Sequence, residues 1–322
     1  MKLYSSIQEA SDRSLAGCAL CLGNFDGVHL GHQALFAEAS THGRVVALTF
    51  QPHPGKVLQP QLAPRLIVTQ ARKLELLEEH EVSAVIVQPF STEYAKTVPD
   101  AFEASLFDGV GARTVVVGYD FTYGVKRAGT VQTLERAAAA RGAQVKTVSA
   151  VSLEGVVVSS SKIREYVLEG RVEAAAQLLG RPFDLDGVVI PGAGRGRTIG
   201  FPTANIDTTN ELRPAAGVYA VRVNVLNPST PLGMNGAALG MKGAKWHGGA
   251  ANIGVKPTFG ASEVTIEAHL FDFSGDLYGN RLRVEFLERL RAEKRFGSAS
   301  ELSSQIGRDL EAARGAVARR RP

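Results

Sequence analysis

The sequence predicts an α/β protein: an N-terminal doubly wound parallel sheet followed by a C-terminal antiparallel β-barrel with a terminal helix. Three observations carry this. The first half alternates apolar runs with amphipathic helical patterns. Beyond Gly180 the runs become short, alternating and rich in β-branched residues, with turn residues between them. Near the end, Ser298 and Glu301 form a Ser-x-x-Glu pattern that opens a last helix over about 298–313. At 322 residues the chain suits two domains of ~150 residues each. The expected boundaries are 1–180 and 181–322.

In the first half the strand-like runs are 16–22, 44–50, 84–88, 114–118 and 144–151. Helical patterns at about 32–39, 70–80, 99–107 and 131–140 separate them, and Pro99 fits a first helical turn, where a missing N–H costs nothing. Five apolar strands joined by helices imply parallel pairing, with ligands beyond the carboxyl ends of the strands. Two short helical segments, 161–168 and 172–179, lead to Arg181-Pro182-Phe183. After them come runs at 185–190, 218–225, 264–270 and 282–286, broken by turns such as Asn227-Pro228-Ser229 and Ser274-Gly275-Asp276. A β-sandwich is the alternative to the barrel.

Composition narrows the function. With 44% hydrophobic and 21% charged residues the chain is not disordered, and no apolar stretch approaches the ~18 residues of a membrane span. The start, Met-Lys-Leu-Tyr-Ser-Ser, lacks the apolar region of a secretory signal, so a cytoplasmic location is expected, without a membrane partner. The net charge of +4 comes largely from Arg319, Arg320 and Arg321; without them 33 basic residues face 32 acidic ones. Such a neutral body predicts no nucleic-acid partner. The two cysteines, Cys18 and Cys21, lie in an apolar run, where residues three apart point to opposite faces; a structural role is expected.

Gly23-Asn24-Phe25-Asp26-Gly27-Val28-His29-Leu30-Gly31-His32 sits where the first strand ends and the first helix begins. Its glycines let backbone approach a ligand, the helix start offers N–H groups to an anion, and His29 and His32 share one helix face. Phosphate binding is the expected role, with zinc as the rival reading. No Gly-x-x-x-x-Gly-Lys-Ser/Thr occurs, so this is not a Walker loop. Val158-Ser159-Ser160-Ser161-Lys162-Ile163-Arg164 opens another helix with three hydroxyls and two cations, a second anion cradle.

In the second half, Gly194-Arg195-Gly196-Arg197-Thr198-Ile199-Gly200-Phe201-Pro202-Thr203-Ala204-Asn205 is the densest motif. Gly194, Arg195 and Gly196 offer a flexible, positively charged loop to phosphate. Thr203 and Asn205 alternate onto one face, where a hydroxyl and an amide oxygen can hold Mg²⁺.

Both motif sets resemble the prokaryotic bifunctional riboflavin kinase/FAD synthetase family. The first two motifs, with Thr49-Phe50-Gln51-Pro52-His53-Pro54 and Gly118-Tyr119-Asp120-Phe121-Thr122-Tyr123-Gly124, are similar to its nucleotidyltransferase-like module. Thr198 to Asn205, Gly217 to Ala220, Asn252 to Phe259 and Ile266 to Leu270 are similar to its riboflavin kinase module. The family more often has Phe at 123, Thr at 161, Arg at 256 and Thr at 268.

The resemblance implies two reactions: phosphorylation of riboflavin by ATP to FMN, then adenylylation of FMN by a second ATP to FAD, with pyrophosphate released. It implies Glu267 as the general base of the kinase. His29, His32 and Arg164 are implied for adenylyl transfer, with Gly23, Asn24, Phe25, Asp26, Ser160 and Ser161 around the nucleotide. Asp120, Arg291 and Phe296 are implied at the flavin. The partners are then the small molecules riboflavin, FMN and ATP, and the chain is expected to be a monomer or weak oligomer. One rival is an adenylyltransferase for another phosphate-bearing acceptor, against which the downstream kinase signature speaks. The other is a flavin-sensing or RNA-associated protein without turnover, against which the intact Thr203, Asn205, Glu267, His29 and His32 speak.

Overall fold

The computed structural model describes residues 1–11, 14–192, 201–226, 245–258 and 261–320. The described chain forms two compact units that part between Ser159 and Ser160; residues Leu66–Thr69 group with the second.

The first unit contains β1 (Lys2–Tyr4), β2 (Ala19–Leu22), α1 (Leu30–Ser40), β3 (Val45–Gln51), α2 (Pro54–Leu58), α3 (Gln70–Glu79), β4 (Ala84–Pro89), α4 (Pro99–Ala104) and β5 (Thr114–Gly118). A small hairpin, β6 (Thr122–Tyr123) and β7 (Gly129–Thr130), precedes α5 (Val131–Ala139) and β8 (Gln144–Val148), and a second, β9 (Ser152–Leu153) and β10 (Val156–Val157), follows. The six-stranded sheet has the order β1-β4-β3-β2-β5-β8 and every pair is parallel. Its strands read as unbroken apolar runs because helices cover both faces. From β2 the chain winds one way through β3 to β4, then returns to lay β5 on the other side of β2. That reversal makes the carboxyl ends of β2 and β5 the switch point, where a crevice opens for a ligand.

Five strands are legible in the sequence, and the sixth, β1, is an edge strand of three residues, too short for a periodic signal. The sequence runs 144–151 as one strand, but the chain leaves the sheet at Val148 and makes the β9–β10 hairpin before the Ser160 motif. Cys18 packs with Leu20 and Leu22 in one core layer, while the Cys21 thiol faces α1 and donates to the Leu35 carbonyl at 3.6 Å. Burial pushes the Cys18 thiol up to about 11 and raises Cys21 further, so both stay protonated and inert.

The second unit begins with α6 (Ser160–Leu168) and α7 (Val172–Leu179). A barrel follows: β11 (Phe183–Ile190), β12 (Ala204–Asp207), β13 (Gly217–Leu226), β14 (Trp246–Thr258), β15 (Ala261–Leu270) and β16 (Arg281–Ala292). It closes in the order β11-β12-β15-β14-β13-β16, with antiparallel neighbours throughout. Phe183, Tyr219 and Phe286 fill the interior, with Tyr219 edge-on to Phe286 at 5.4 Å.

The last helix, α8 (Ala299–Arg319), is capped by the Ser298 hydroxyl, which accepts from the Glu301 N–H at 3.1 Å. It packs Ala313 and Ala316 against Ala220, Ala250 and Leu287, small residues that let helix and sheet approach closely. β16 outruns the predicted 282–286 because its later positions are charged yet partnered. The Arg289 guanidinium donates to the Glu169 and Ala216 carbonyls, and Arg291 pairs with Asp309 of α8. Arg283, 1% exposed, pairs with Asp186 at 2.6 Å. In the basic tail, Arg319 pairs with Glu288, and Arg321 lies outside the described residues.

Candidate functional site

In the first unit the turn after β2 brings Gly23, Asn24, Phe25, Asp26, His29 and His32 together at the switch point. The turn is bent tightly: Phe25 and Val28 adopt φ of 49° and 44° although neither is glycine, and Gly27 has φ 86°. Left-handed backbone at non-glycine residues costs ~1–3 kcal/mol each and persists where the surroundings enforce it. Here Phe25 is fully buried, edge-on to His32 at 5.3 Å and against Phe36 at 5.1 Å. Its ring covers Gly23, where a Cβ would lie 2.9 Å from it.

His29 is the N-cap of α1 and makes no side-chain cap bond, while its carbonyl accepts from the His32 and Gln33 N–H groups at 2.7 and 3.0 Å. Its ring stacks on that of His32 at 3.6 Å, over Gly31, where a Cβ would lie 3.1 Å from the His29 ring. The His32 imidazole is held well below its ordinary value of 6.5, first by burial, then by His29 and by Lys73. His32 is therefore neutral near pH 7, and its buried Nδ1 has no hydrogen-bond partner among the described residues.

Lys73 is the residue that sequence reading missed. It lies on α3, and its ammonium donates to the Asn24 carbonyl at 3.1 Å and to the Thr49 hydroxyl at 3.4 Å. Thr49, itself fully buried, donates to the same carbonyl at 3.1 Å. The available signal is positional: Lys73 precedes Leu76 and Leu77 by three and four residues and so falls on their stripe, where a cation is out of place.

Asp120 is exposed at the carboxyl end of β5, beside β2. The departure at Tyr123 is accommodated, since its hydroxyl donates to the buried Glu103 and meets the Thr133 hydroxyl at 2.9 Å. Val158, two residues before Ser160, runs its carbonyl within 3.8 Å of a Cβ at Gly31. Ser160, Ser161 and Arg164 lie in the opening turns of α6, in the second unit, where Ser160 and Arg164 are half-buried and Ser161 is exposed. Lys162 is paired with Glu165 at 2.6 Å.

In the barrel, alternation sorts β12 and β15. Ala204, Ile206, Ile266 and Ala268 point inward and are buried; Thr203, Asn205 and Glu267 point out and are half-buried. The register pairs Asn205 with Glu267, Glu267 with Asn252, Asn252 with Val218, and Val218 with Arg291. Directly paired residues share a face, so one row crosses five strands and joins three of the residues singled out in the sequence. Asn252 is a further member of that row.

Gly192 lies beside it, and a Cβ there would come within 2.0 Å of the Asn205 amide. His269, two places from Glu267, donates from Nδ1 to the Pro202 carbonyl at 2.8 Å and so anchors the segment that carries Thr203. Arg291 is held by a bidentate pair with Asp309, and Phe296 lies under both Arg291 and Lys294 at 5.7 and 5.5 Å. Gly194, Arg195 and Gly196 lie outside the described residues. The Thr203 hydroxyl and the Asn205 amide oxygen are both oxygen donors, and the Asn205 amide fills the space that Gly192 leaves open. This chemistry fits a hard divalent cation. Among the described residues no group of three or more His, Cys, Asp and Glu side chains could hold a metal, so the zinc reading of His29 and His32 finds no further ligands.

Comparison with known proteins matches both halves. The family described as FAD synthetase matches residues 11–162, and that described as riboflavin kinase matches residues 179–317. A bifunctional riboflavin kinase/FMN adenylyltransferase of Haemophilus influenzae is 35% identical over 98% of each chain. That of Escherichia coli K12 is 35% identical over 98% of this chain and 97% of its own, and that of Bacillus subtilis 35% identical over 92% of each. A crystal structure described as a macrolide-efflux protein from Streptococcus pneumoniae is similar with a TM-score of 0.84 and 30% identity, covering 98% of this chain and 99% of that one. No described helix is long and apolar enough to cross a membrane. With near full-length coverage at 35% identity and both family domains matched in order, this chain belongs to the bifunctional riboflavin kinase/FMN adenylyltransferase family.

Proposed function

We infer that the chain makes FMN from riboflavin and ATP, and then FAD from FMN and a second ATP. The observation that carries the kinase half is the row Asn205–Glu267–Asn252–Val218–Arg291. Glu267 and Arg291 stand three strand spacings apart in it, or ~14 Å at ~4.8 Å per strand. An elongated flavin with its ribityl chain is of that length. In this reading the primary 5′-hydroxyl of riboflavin lies at Glu267, whose carboxylate accepts the proton as the oxygen attacks the γ-phosphorus of ATP. ADP leaves, and the flavin ring is placed toward Arg291 and Phe296. Thr203 and Asn205 would hold Mg²⁺, which neutralises phosphate charge when bound.

In the first unit the reaction needs no base, because the FMN phosphate is already ionised. Its oxygen attacks the α-phosphorus of ATP, and the bond to pyrophosphate breaks. The work is positioning and charge stabilisation. The neutral His32, together with His29, donates N–H groups to phosphate oxygens, and the α1 N-terminus faces the same crevice. Gly23 to Asp26 shape the turn, Asp120 borders the flavin, and Ser160, Ser161 and Arg164 supply a second set of anion donors. Residues 1–180 carry this activity and 181–322 the kinase; Gly194, Arg195 and Gly196 serve the kinase nucleotide. The partners are riboflavin, FMN and ATP, with no nucleic acid or membrane, and the enzyme acts in the cytoplasm as a monomer or weak oligomer.

The test is chromatography of products after incubation with riboflavin, ATP and Mg²⁺. FMN followed by FAD is the expected outcome. FMN alone would remove the flavin adenylyltransferase assignment, and neither product from folded protein would overturn both.

A further inference from the structure

Beneath the glycine-rich turn lies a buried cation that the chemistry above does not use. Lys73 is 7% exposed, on a helix whose other buried members are Leu76, Leu77 and Arg72, the last paired with Glu75 and Glu79 of the same helix. Burying an ammonium is expensive, and a methionine would pack there without that cost. Its contacts are specific: the Asn24 carbonyl at 3.1 Å, and the Thr49 hydroxyl, which donates to the same carbonyl. Two donors from α3 and β3 thus converge on one peptide of the ligand turn.

We propose that Lys73 is a positioning residue for adenylyl transfer: it pins the Asn24 carbonyl from below and sets the charge environment in which His32 meets phosphate. The proposal rests on the reading of the first unit as an FMN adenylyltransferase. Burial lowers the Lys73 ammonium to about 8, opposed by the nearby Asp26 carboxylate, so it is charged at neutral pH. That charge and His29 both disfavour protonation of His32. An arriving triphosphate would pull a proton onto His32, and Lys73 counters this, keeping the imidazole a neutral donor. Around His32 the groups that titrate or carry charge are His29 in the turn, Lys73 from α3, Asp26 acting through Lys73, and His80, one ring removed behind Phe36. Cys21 of β2, under α1, stays a thiol.

The experiment is the pH dependence of kcat/KM for FMN adenylylation in the full chain, with riboflavin phosphorylation measured in parallel. Lys73→Gln keeps a donor for Asn24 but removes the charge. The acidic limb of its profile should move up by roughly one pH unit, with kcat reduced about tenfold and riboflavin phosphorylation unchanged. Lys73→Arg should restore the limb but not kcat, since a planar fork does not replace a compact ammonium. Thr49→Val, which drops the other donor, should lower kcat and leave the limb in place. An unmoved limb in Lys73→Gln overturns the proposal even if the rate falls, because a purely structural role predicts that result. If Lys73→Gln fails to fold, Lys73→Arg decides, and a wild-type kcat there overturns the proposal. Absence of FAD from the wild-type chain would instead strike the adenylyltransferase reading itself.

Discussion

Gly192→Ala separates the kinase site from the stability of the barrel. The new Cβ would lie 2.0 Å from Nδ2 and 2.4 Å from Cγ of Asn205, roughly 1.5 Å short of the ~3.5 Å at which two heavy atoms rest. The obstructing atoms are the end of a side chain, not backbone, so the clash can be relieved by swinging Asn205 to another χ1 well. Even a side chain left about 30° off a rotamer costs only ~0.5–1.5 kcal/mol, so the melting temperature should fall by only a few degrees. Function cannot escape so cheaply, because the amide that moves is a proposed cation ligand directly opposite Glu267. A displacement of ~1 Å at a reacting centre costs ~10²-fold, or about 2.7 kcal/mol of transition-state stabilisation. The assay is a coupled riboflavin kinase rate at saturating Mg²⁺, with FMN adenylylation in the same preparation as control. Kinase kcat/KM within about threefold of wild type in a folded variant would refute both the crowding and the ligand assignment.

The remaining predictions concern the two active sites and the stability of each unit. Glu267→Gln should reduce FMN formation by at least ~10²-fold while sparing the conversion of supplied FMN to FAD; His32→Ala should do the reverse, by ~10²–10³-fold. If both rates fall together in either folded variant, the site assignment is wrong. Asp186→Ala should destabilise the barrel by ~3–5 kcal/mol, since Arg283 is 1% exposed and loses its carboxylate, with a drop in melting temperature on the order of 10 °C. A pH effect on stability follows from His32. Its folded pKa lies below the unfolded value of 6.5, so the unfolded chain binds the proton first. Stability is then full above about pH 6.5 and declines as pH falls below it. Thermal melts between pH 7.5 and 5.5 should show a slope that shrinks in His32→Ala.

The fold and the ligand turns were legible wherever a local pattern had a single cause. The run 114–118 and the pattern 172–179 coincide with β5 and α7 because apolar periodicity and burial agree there. β14 escaped notice because Gly248, Gly249 and Gly254 interrupt its alternation, and each allows a close approach that a Cβ would obstruct. β16 was truncated because Arg289 and Arg291 look like a solvated charge run, although both are paired across the unit. Lys73 and Asn252 were not seen as site residues because each gains its meaning from a distant segment, Asn24 in one case and Glu267 in the other. Register and tertiary burial are absent from any local window.

The barrel closes by pairing its first strand with its last. Phe183 lies against Phe286, and Val188 against Arg281, across roughly a hundred residues of chain. During vectorial synthesis β11 emerges long before the strand that will cover its open side, so the second unit cannot complete its sheet until nearly the whole chain has been made. The sheet of the first unit has all its strands by Val148 and can form while translation continues. A message truncated before residue 281 would thus yield a finished first unit attached to a barrel with β11 and β13 lacking their common partner. Such a product exposes two bare strand edges and is prone to self-association, whereas one truncated before residue 160 does not carry that hazard.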